Sequence, residues 1–214
     1  MSSGTILLRQ AIGYALPSVL GVTPALLGRP TPCRDWNLDM LLRHARESLV
    51  ALHEGAATGQ VALLPGAPSS TAATDPAAVF ADRVEGLLAA GRARHPVLGI
   101  GDLPLPAITV ECAGAIEIAV HGWDIAAACG QRRPIPDALA IGLLAIAPLL
   151  VPEAGREPQF GPPVRQTAGD SPGDCLVAFL GREPSSAAPP AGTADRRASA
   201  GAGRPECRSE LPDR

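Results

Sequence analysis

The sequence of 214 residues contains no lysine, and all eighteen of its basic residues are arginines. This absence excludes mechanisms that need a lysine Schiff base, pyridoxal phosphate on a lysine, or the lysine of a P-loop. Aromatic side chains make up only 3% of the chain, so the core must be built mainly from aliphatic residues. The formal net charge of −3 provides no basic field, which argues against nucleic acid or an anionic membrane as a partner.

Long hydrophobic runs are also missing. No stretch of about eighteen uninterrupted apolar residues occurs, and the nearest candidate, residues 140–151, is too short and contains Pro148. The N-terminus lacks the basic start and apolar run of a signal peptide. The five cysteines are an odd number at irregular spacing, which is typical of a reducing compartment and not of a disulfide framework. No CxxC pair occurs, which argues against a thiolate zinc site. We therefore expect a cytoplasmic protein without a membrane anchor.

Apolar residues recur at helical spacing, and segments rich in proline and glycine separate the periodic stretches. The predicted helices cover 4–22, 35–54, 74–94 and 111–130, with a further apolar helix over 136–151. The first should bend or end near Pro17, and Gly130 should cap the fourth. Two long connections, 55–73 and 95–106, resemble the crossovers of helical bundles.

No alternation of polar and apolar residues extends beyond a few positions, so the ordered part is expected to be all-α. Residues 160–184 form a Pro/Gly segment that ends in one short apolar turn. From Ser185 to Arg214 the only large aliphatic residue is Leu211, so this stretch cannot bury enough surface to order itself. The predicted organisation is a helical domain over 1–184 and a disordered, low-complexity tail over 185–214.

The helix over 111–130 has the composition of a buried helix, yet it carries Glu117, His121 and Asp124 at spacings of four and three. Glu117 and His121 lie about 40° apart around the helix and about 6 Å along it, so they point into the same space. Such a pair is either a solvated surface pair or two ligands of one metal ion. Apolar neighbours leave little room for a solvated face, and a buried acid and imidazole need partners, which favours a divalent metal.

A third ligand must come from another segment, and the other histidines are His44, His53 and His95. Relative to Leu38, His53 lies about 60° round the second helix and His44 about 120° the other way, so periodicity slightly prefers His53. His95 precedes a proline in a connection and is expected to be a bystander. The geometry of one helix leaves the third ligand open.

Four short segments carry a resemblance to a known family. They are PTPCRDWNLDMLLRH (30–44), EIAVHGWDIA (117–126), FGPPV (160–164) and AFLGR (178–182). In this order they resemble actinobacterial proteins related to the N-terminal domain of mycothiol-dependent maleylpyruvate isomerase, within the DinB-like superfamily. The resemblance spans roughly residues 5–184. It implies a DinB-like four-helix bundle with long crossover connections, and a divalent metal held by His44, Glu117 and His121.

The resemblance also implies an activity. Zinc is the expected metal, with nickel or iron as alternatives, and three protein ligands leave a position for substrate or water. Relatives with this site activate mycothiol, a low-molecular-weight thiol, against a small electrophile, which predicts a metal-dependent thiol S-transferase or isomerase. The alternatives are a metal-dependent hydrolase, a secondary-metabolism tailoring enzyme that needs no thiol, and a non-catalytic metal- or small-molecule-binding protein.

The isomerase differs from this chain in having a C-terminal domain that contributes to substrate binding. The resemblance therefore does not extend to maleylpyruvate as the substrate. The expected partner is a small-molecule substrate, and a homodimer is compatible with the family, whose bundles often pair.

Several residues are candidates for supporting roles. Asp124 either accepts a hydrogen bond from a ligand imidazole or pairs with a neighbouring arginine. Trp36 and Trp123 are expected to pack between helices, with substrate stacking as the alternative for Trp123. Arg43 either reaches an anionic substrate or is solvated, the second being favoured. Cys33, in a proline-rich loop, is expected to be packed rather than reactive.

Overall fold

The computed structural model describes residues 2–33, 35–62, 95–156 and 160–184, together with residues 80, 82, 84, 86 and 87. Within these residues the chain is mostly helical, with a small three-stranded sheet. The helices are α1 (Ser3–Leu20), α2 (Leu38–Thr58), α3 (Ala107–Ala128), α4 (Asp137–Leu144), α5 (Ala147–Leu150) and α6 (Pro172–Phe179), and the strands are β1 (Gln60–Val61), β2 (Val97–Ile100) and β3 (Leu103–Pro106).

Helix α2 begins and ends at recognisable caps. The Asn37 side chain accepts a hydrogen bond from the Met40 amide at 2.9 Å, and Gly59 adopts a left-handed φ of 76° at the other end. These two signals shift the helix by a few residues from the predicted 35–54. Its buried stripe consists of Leu38, Leu41, Leu42, Ala45 and Leu49, as the helical periodicity predicts.

Helices α1 and α3 approach each other closely in the core. A Cβ atom at Gly122 of α3 would lie 2.7 Å from the Cβ atom of Ala15 on α1, so only glycine fits at this crossing. Helix α1 continues through Pro17 and ends at Leu20, and α3 ends before Gly130, which adopts a φ of 73°.

The connection over 95–106 is not irregular, and the prediction that the ordered part contains no strands is wrong here. Strands β2 and β3 form an antiparallel hairpin, and β1 pairs with β2 in parallel. The amide of Ala107 donates to the Pro96 carbonyl at 3.0 Å, so the backbone N–H of residue 107 points towards β2. Because backbone groups alternate in direction along a strand, the backbone nitrogens of residues 104 and 106 point away from β2. Prolines are tolerated there because no inward-facing N–H is needed, and strands of four residues are too short to show a periodic pattern.

The predicted helix over 136–151 is divided into α4 and α5. Helix α5 starts just before Pro148, whose ring and missing N–H are incompatible with a continuous helix at that position. The expected turn near residues 175–180 is the eight-residue helix α6, which a capping box of Ser171 and Asp174 initiates.

Two predictions fall largely or wholly on undescribed positions. Within the predicted helix over 74–94, the described residues 80, 82, 84, 86 and 87 are helical, and Phe80, Val84 and Leu87 are buried. The predicted tail over 185–214 lies outside the described residues. Among the residues that the structure does describe, none forms a helix long and apolar enough to cross a membrane.

Candidate metal centre

His44 of α2 meets Glu117 and His121 of α3 where these two helices pack together. The Glu117 Oε1 atom is hydrogen-bonded to His44 Nε2 and lies 3.1 Å from His121 Nε2. One ligand atom from each of the three residues lies within 4.8 Å of the other two. The structure thus brings together the three residues that the family resemblance nominates as metal ligands.

The antiparallel packing of α2 on α3 places His44 at this position. A Cβ atom at Gly114 would lie 2.6 Å from Leu52 Cδ2, which marks a close approach of the two helices. About two turns before Leu52 along α2 comes His44, and about two turns after Gly114 along α3 comes His121. Because the helices run in opposite directions, these steps lead to the same level of the bundle.

A second hydrogen bond orients the His121 imidazole from its buried side. Its Nδ1 atom lies 3.0 Å from the Oδ2 atom of Asp124, whose side chain is fully buried. Arg182 binds the same carboxylate through two nitrogens, with Nη2 at 3.0 Å from Oδ2 and Nε at 3.3 Å from Oδ1. Both roles that the sequence left open for Asp124 are therefore filled at once, one by His121 and one by Arg182.

An aromatic ring packs against the two imidazoles. The Trp36 ring centroid lies 4.8 Å from that of His44 in an edge contact, and 6.4 Å from that of His121. Trp36 thus packs between α2 and α3, and it lies in the same sequence motif as His44. Nearby, Ser48 Oγ lies 3.4 Å from Glu117 Oε1, a contact that no sequence pattern indicated.

The loop before α2, which carries Trp36, also carries Cys33 and brings it towards Arg182. Arg182 Nη2 lies 3.9 Å from Cys33 Sγ. Burial raises the pKa of the Cys33 thiol, and the opposing charge of Arg182 does not overcome this effect. Such a thiol stays protonated near neutral pH, in agreement with a packed rather than a reactive cysteine.

The remaining candidates lie elsewhere. Trp123 is 8% exposed and lines a shallow cavity of about 170 Å³ with residues near Gln131, on the opposite side of α3 from His121. Arg43 is exposed and forms a 2.8 Å ion pair with Asp39. The structure thus favours packing for Trp123 and solvation for Arg43, and it places neither at the cluster.

The two other histidines also pack away from the cluster. A Cβ atom at Gly86 would lie 2.7 Å from the His53 ring, and one at Gly59 would lie 3.0 Å from the His95 ring. Among the described residues, the group that could hold a metal contains neither of them.

The charges of the cluster are strongly coupled. Burial opposes ionisation of Glu117, but hydrogen bonds with His121 and His44 and their charges hold the pKa of this carboxyl far below its usual range. Burial likewise opposes protonation of His121, but hydrogen bonds to Asp124 and Glu117 and their charges raise its pKa to about 9. Without a metal, the cluster is therefore an ionised carboxylate facing a protonated imidazole, and an incoming cation must displace that proton.

No protein-family model matches the chain, and no solved structure matches it. The chain is 29% identical over 163 residues to an uncharacterized protein of Mycobacterium tuberculosis, found in strain CDC 1551 / Oshkosh and in strain ATCC 25618 / H37Rv. The match covers 73% of this chain and 85% of each relative. Both relatives are uncharacterized proteins, so this likeness assigns no function to the chain.

Proposed function

We propose that this chain is a metal-dependent enzyme of the DinB-like bundle class, in which His44, Glu117 and His121 hold a divalent metal ion. The observation that carries the proposal is the convergence of the three ligand atoms within 4.8 Å across two packed helices. Two imidazole nitrogens and one carboxylate oxygen are a donor set typical of catalytic zinc, and also of nickel and iron. The mostly helical fold, with α1, α2, α3 and the helical residues at 80, 82, 84, 86 and 87, is compatible with such a bundle.

The hydrogen bond at Nδ1 of His121 supports the same proposal. In a neutral imidazole only one nitrogen carries a hydrogen, and Asp124 lies where it accepts that hydrogen from Nδ1. The Nε2 lone pair is then free to bind a metal on the side of Glu117. Metal-ligating histidines in proteins commonly have a carboxylate in this position.

Access from solvent is a further requirement that the cluster meets. The side chain of His121 is 6% exposed, whereas those of His44 and Glu117 are 37% and 24% exposed. The buried donor, His121, therefore forms the interior side of the site, and the more exposed His44 and Glu117 form its solvent side. A small molecule can approach from the side of His44 while Asp124 holds His121 from the interior.

When bound, the metal supplies Lewis acidity, which lowers the pKa of a thiol or water molecule that coordinates it. One carboxylate and two neutral imidazoles leave a divalent ion with a net positive charge, so the site favours an anionic thiol. Following the family resemblance, we infer that the co-substrate is a low-molecular-weight thiol such as mycothiol and that the substrate is a small electrophile. The reaction class is thiol transfer or isomerisation, at a site in which Trp36 packs against the two imidazoles.

The test combines metal binding with thiol-dependent turnover. The purified apo-protein is titrated with zinc, nickel and iron, and a panel of electrophiles is assayed with and without a thiol. We expect one metal ion per chain and thiol-dependent loss of an electrophile, with both lost in His121→Ala. The matched control is His53→Ala, which removes a histidine that lies against Gly86 and should leave both measurements unchanged.

Each other outcome contradicts a defined part of the proposal. Turnover that needs no thiol would replace the transferase with a hydrolase or a tailoring enzyme. Metal binding without turnover of any electrophile would argue for a binding protein. A folded chain that takes up far less than one metal ion would contradict the metal centre itself.

A further inference from the structure

Arg182 is a buried arginine that the sequence delivers to the interior through a tight turn. It is 5% exposed, and it follows α6 and Gly181, which adopts a φ of 82°. A Cβ atom at Gly181 would lie 2.7 Å from the Gly161 carbonyl oxygen, so both the left-handed backbone and the close approach require glycine. The turn sends the guanidinium back into the core, towards α3.

The guanidinium is held on several sides. Its Nε and Nη2 atoms bind the Asp124 carboxylate, and Nη1 donates to the Leu180 carbonyl at 2.8 Å. Nη2 also lies 3.9 Å from Cys33 Sγ, and the centre of the group lies 5.8 Å from the Phe160 ring. Arg182 therefore connects the C-terminal segment with α3 and with the loop that carries Trp36.

Stability alone does not account for this ion pair. Removing two charges from water costs about as much free energy as their attraction returns, and apolar side chains of similar size often serve a core equally well. What an apolar pair would not supply is a carboxylate oxygen at 3.0 Å from His121 Nδ1. The same Oδ2 atom accepts from Arg182 and faces the imidazole, so the two contacts share one oxygen.

We propose that Arg182 is a positioning residue of the metal centre, which acts through Asp124 to keep His121 Nε2 directed at the metal. The inference rests on the proposed metal function. With both guanidinium contacts in place, the carboxylate is fixed in plane and one oxygen stays opposite Nδ1. Without them, Asp124 is a buried carboxylate that turns towards other donors, and His121 loses its fixed orientation and tautomer.

The structure offers a matched control in Arg156. This arginine is also buried, at 6% exposed, and it also secures the C-terminal segment, by hydrogen bonds to the carbonyls of Gly161 and Phe179. Its guanidinium lies 5.0 Å from the Phe179 ring. Among the described residues its partners lie beside the turn at Gly181 and not at the metal cluster, so Arg156→Met tests whether loosening this segment is enough to weaken metal binding.

The experiment measures zinc affinity of the full chain by competition with a chromogenic chelator, and the unfolding free energy of each apo-protein in urea. We expect Arg182→Met to lower zinc affinity by about 10- to 100-fold, as loss of an outer hydrogen-bond partner does at other metal sites. Arg156→Met should lower stability and leave zinc affinity near that of the original protein. Cobalt substituted for zinc should show an altered absorption spectrum only in the Arg182 variant, because only there does a ligand change orientation.

Two further variants keep the test decisive if Arg182→Met folds poorly. Arg182→Lys retains the charge but loses the two-pronged contact, and it should fold and recover only part of the affinity. The double variant Asp124→Asn/Arg182→Met removes the unpaired buried charge, so stability should recover relative to Arg182→Met while zinc affinity stays low.

The failures of the two proposals are distinguishable. If the original protein binds zinc and Arg182→Met binds it equally well, or if Arg156→Met loses as much affinity, Arg182 is not a positioning residue. If the original folded protein binds no zinc or cobalt, the proposed metal function is overturned and this inference with it.

Discussion

The indole of Trp36 lies edge-on against the imidazole of His44, with the ring centroids 4.8 Å apart. The chain contains two tryptophans, and Trp123 faces away from the cluster. Zinc binding at His44 changes the charge and polarisability next to Trp36, so the emission of this residue should change on titration with zinc. The measurement is made on Trp123→Phe, in which Trp36 is the single emitter. In Trp36→Phe the zinc-dependent signal should be absent, and its persistence there would contradict the assigned site.

The stability of the metal-free protein should fall as the pH rises through the range in which His121 titrates. The folded-state pKa of His121 is raised to about 9, above its ordinary value of about 6.5. The stabilising contribution is therefore complete below about pH 6.5, and it is lost as the pH rises towards about 9. A pKa shift of this size corresponds to a decrease in the free energy of unfolding on the order of 3 kcal/mol across this pH range. Urea unfolding at a series of pH values measures it, and His121→Gln should flatten the profile.

With zinc bound, the same pH range should behave differently. The metal takes the place of the proton on His121 Nε2, so the loss of stability between about pH 6.5 and 9 should disappear. Zinc binding near neutral pH should also release a proton, which is measured by calorimetry in buffers of different ionisation enthalpy. Equal pH profiles for the two forms would contradict His121 as a ligand.

Tyr14, the single tyrosine, should resist ionisation while the protein is folded. Its hydroxyl donates to the Arg133 carbonyl at 2.6 Å, and burial raises its pKa far above the ordinary value, against the opposing charge of Arg133. The folded state therefore keeps a proton that the unfolded state releases above about pH 10, so stability falls as the pH rises beyond that value. Tyrosinate absorbance should appear only together with loss of helical circular dichroism. Tyr14→Phe should be less sensitive to alkali, at a cost of about 1 kcal/mol near neutral pH.

The crossing of α1 and α3 should not tolerate a methyl group. In Gly122→Ala the added carbon would lie 2.7 Å from the Cβ atom of Ala15, and overpacking of this kind costs about 1–3 kcal/mol. Gly13→Ala is the matched control, because a Cβ atom there meets nothing within 4 Å on the exposed side of α1. That substitution should stabilise the protein by about 0.5–1 kcal/mol, since alanine favours a helix interior. Thermal unfolding of both variants gives the comparison, and equal effects would contradict the packing.

Local patterns in the sequence predict those features of the structure that depend on residues close together in the chain. The spacing of Glu117 and His121 predicts their common side because helical geometry determines it. The apolar stripe of α2 likewise predicts its buried face. Angles on α2 alone slightly preferred His53 as a third ligand, because they cannot show that His53 packs against Gly86. Only the family resemblance nominated His44.

These local patterns do not predict contacts between segments that are distant in the sequence. Arg182 and Asp124 are 58 positions apart, and their contact depends on the turn at Gly181 that directs the arginine inwards. The hairpin of β2 and β3 was missed for a different reason. Proline is disfavoured in strands because it lacks an N–H group. In β3 the backbone nitrogens of both prolines face away from β2, where no hydrogen-bond donor is required.

The same two prolines determine how the small sheet meets its surroundings. Pro104 and Pro106 occupy the positions of β3 that face away from β2, and neither has an amide hydrogen to offer. An incoming strand would find carbonyl groups there without the donors that complete a ladder. Among the described strands none pairs with this side of β3, and the two prolines disfavour extension of the sheet there, which is one way in which proteins limit edge-to-edge aggregation.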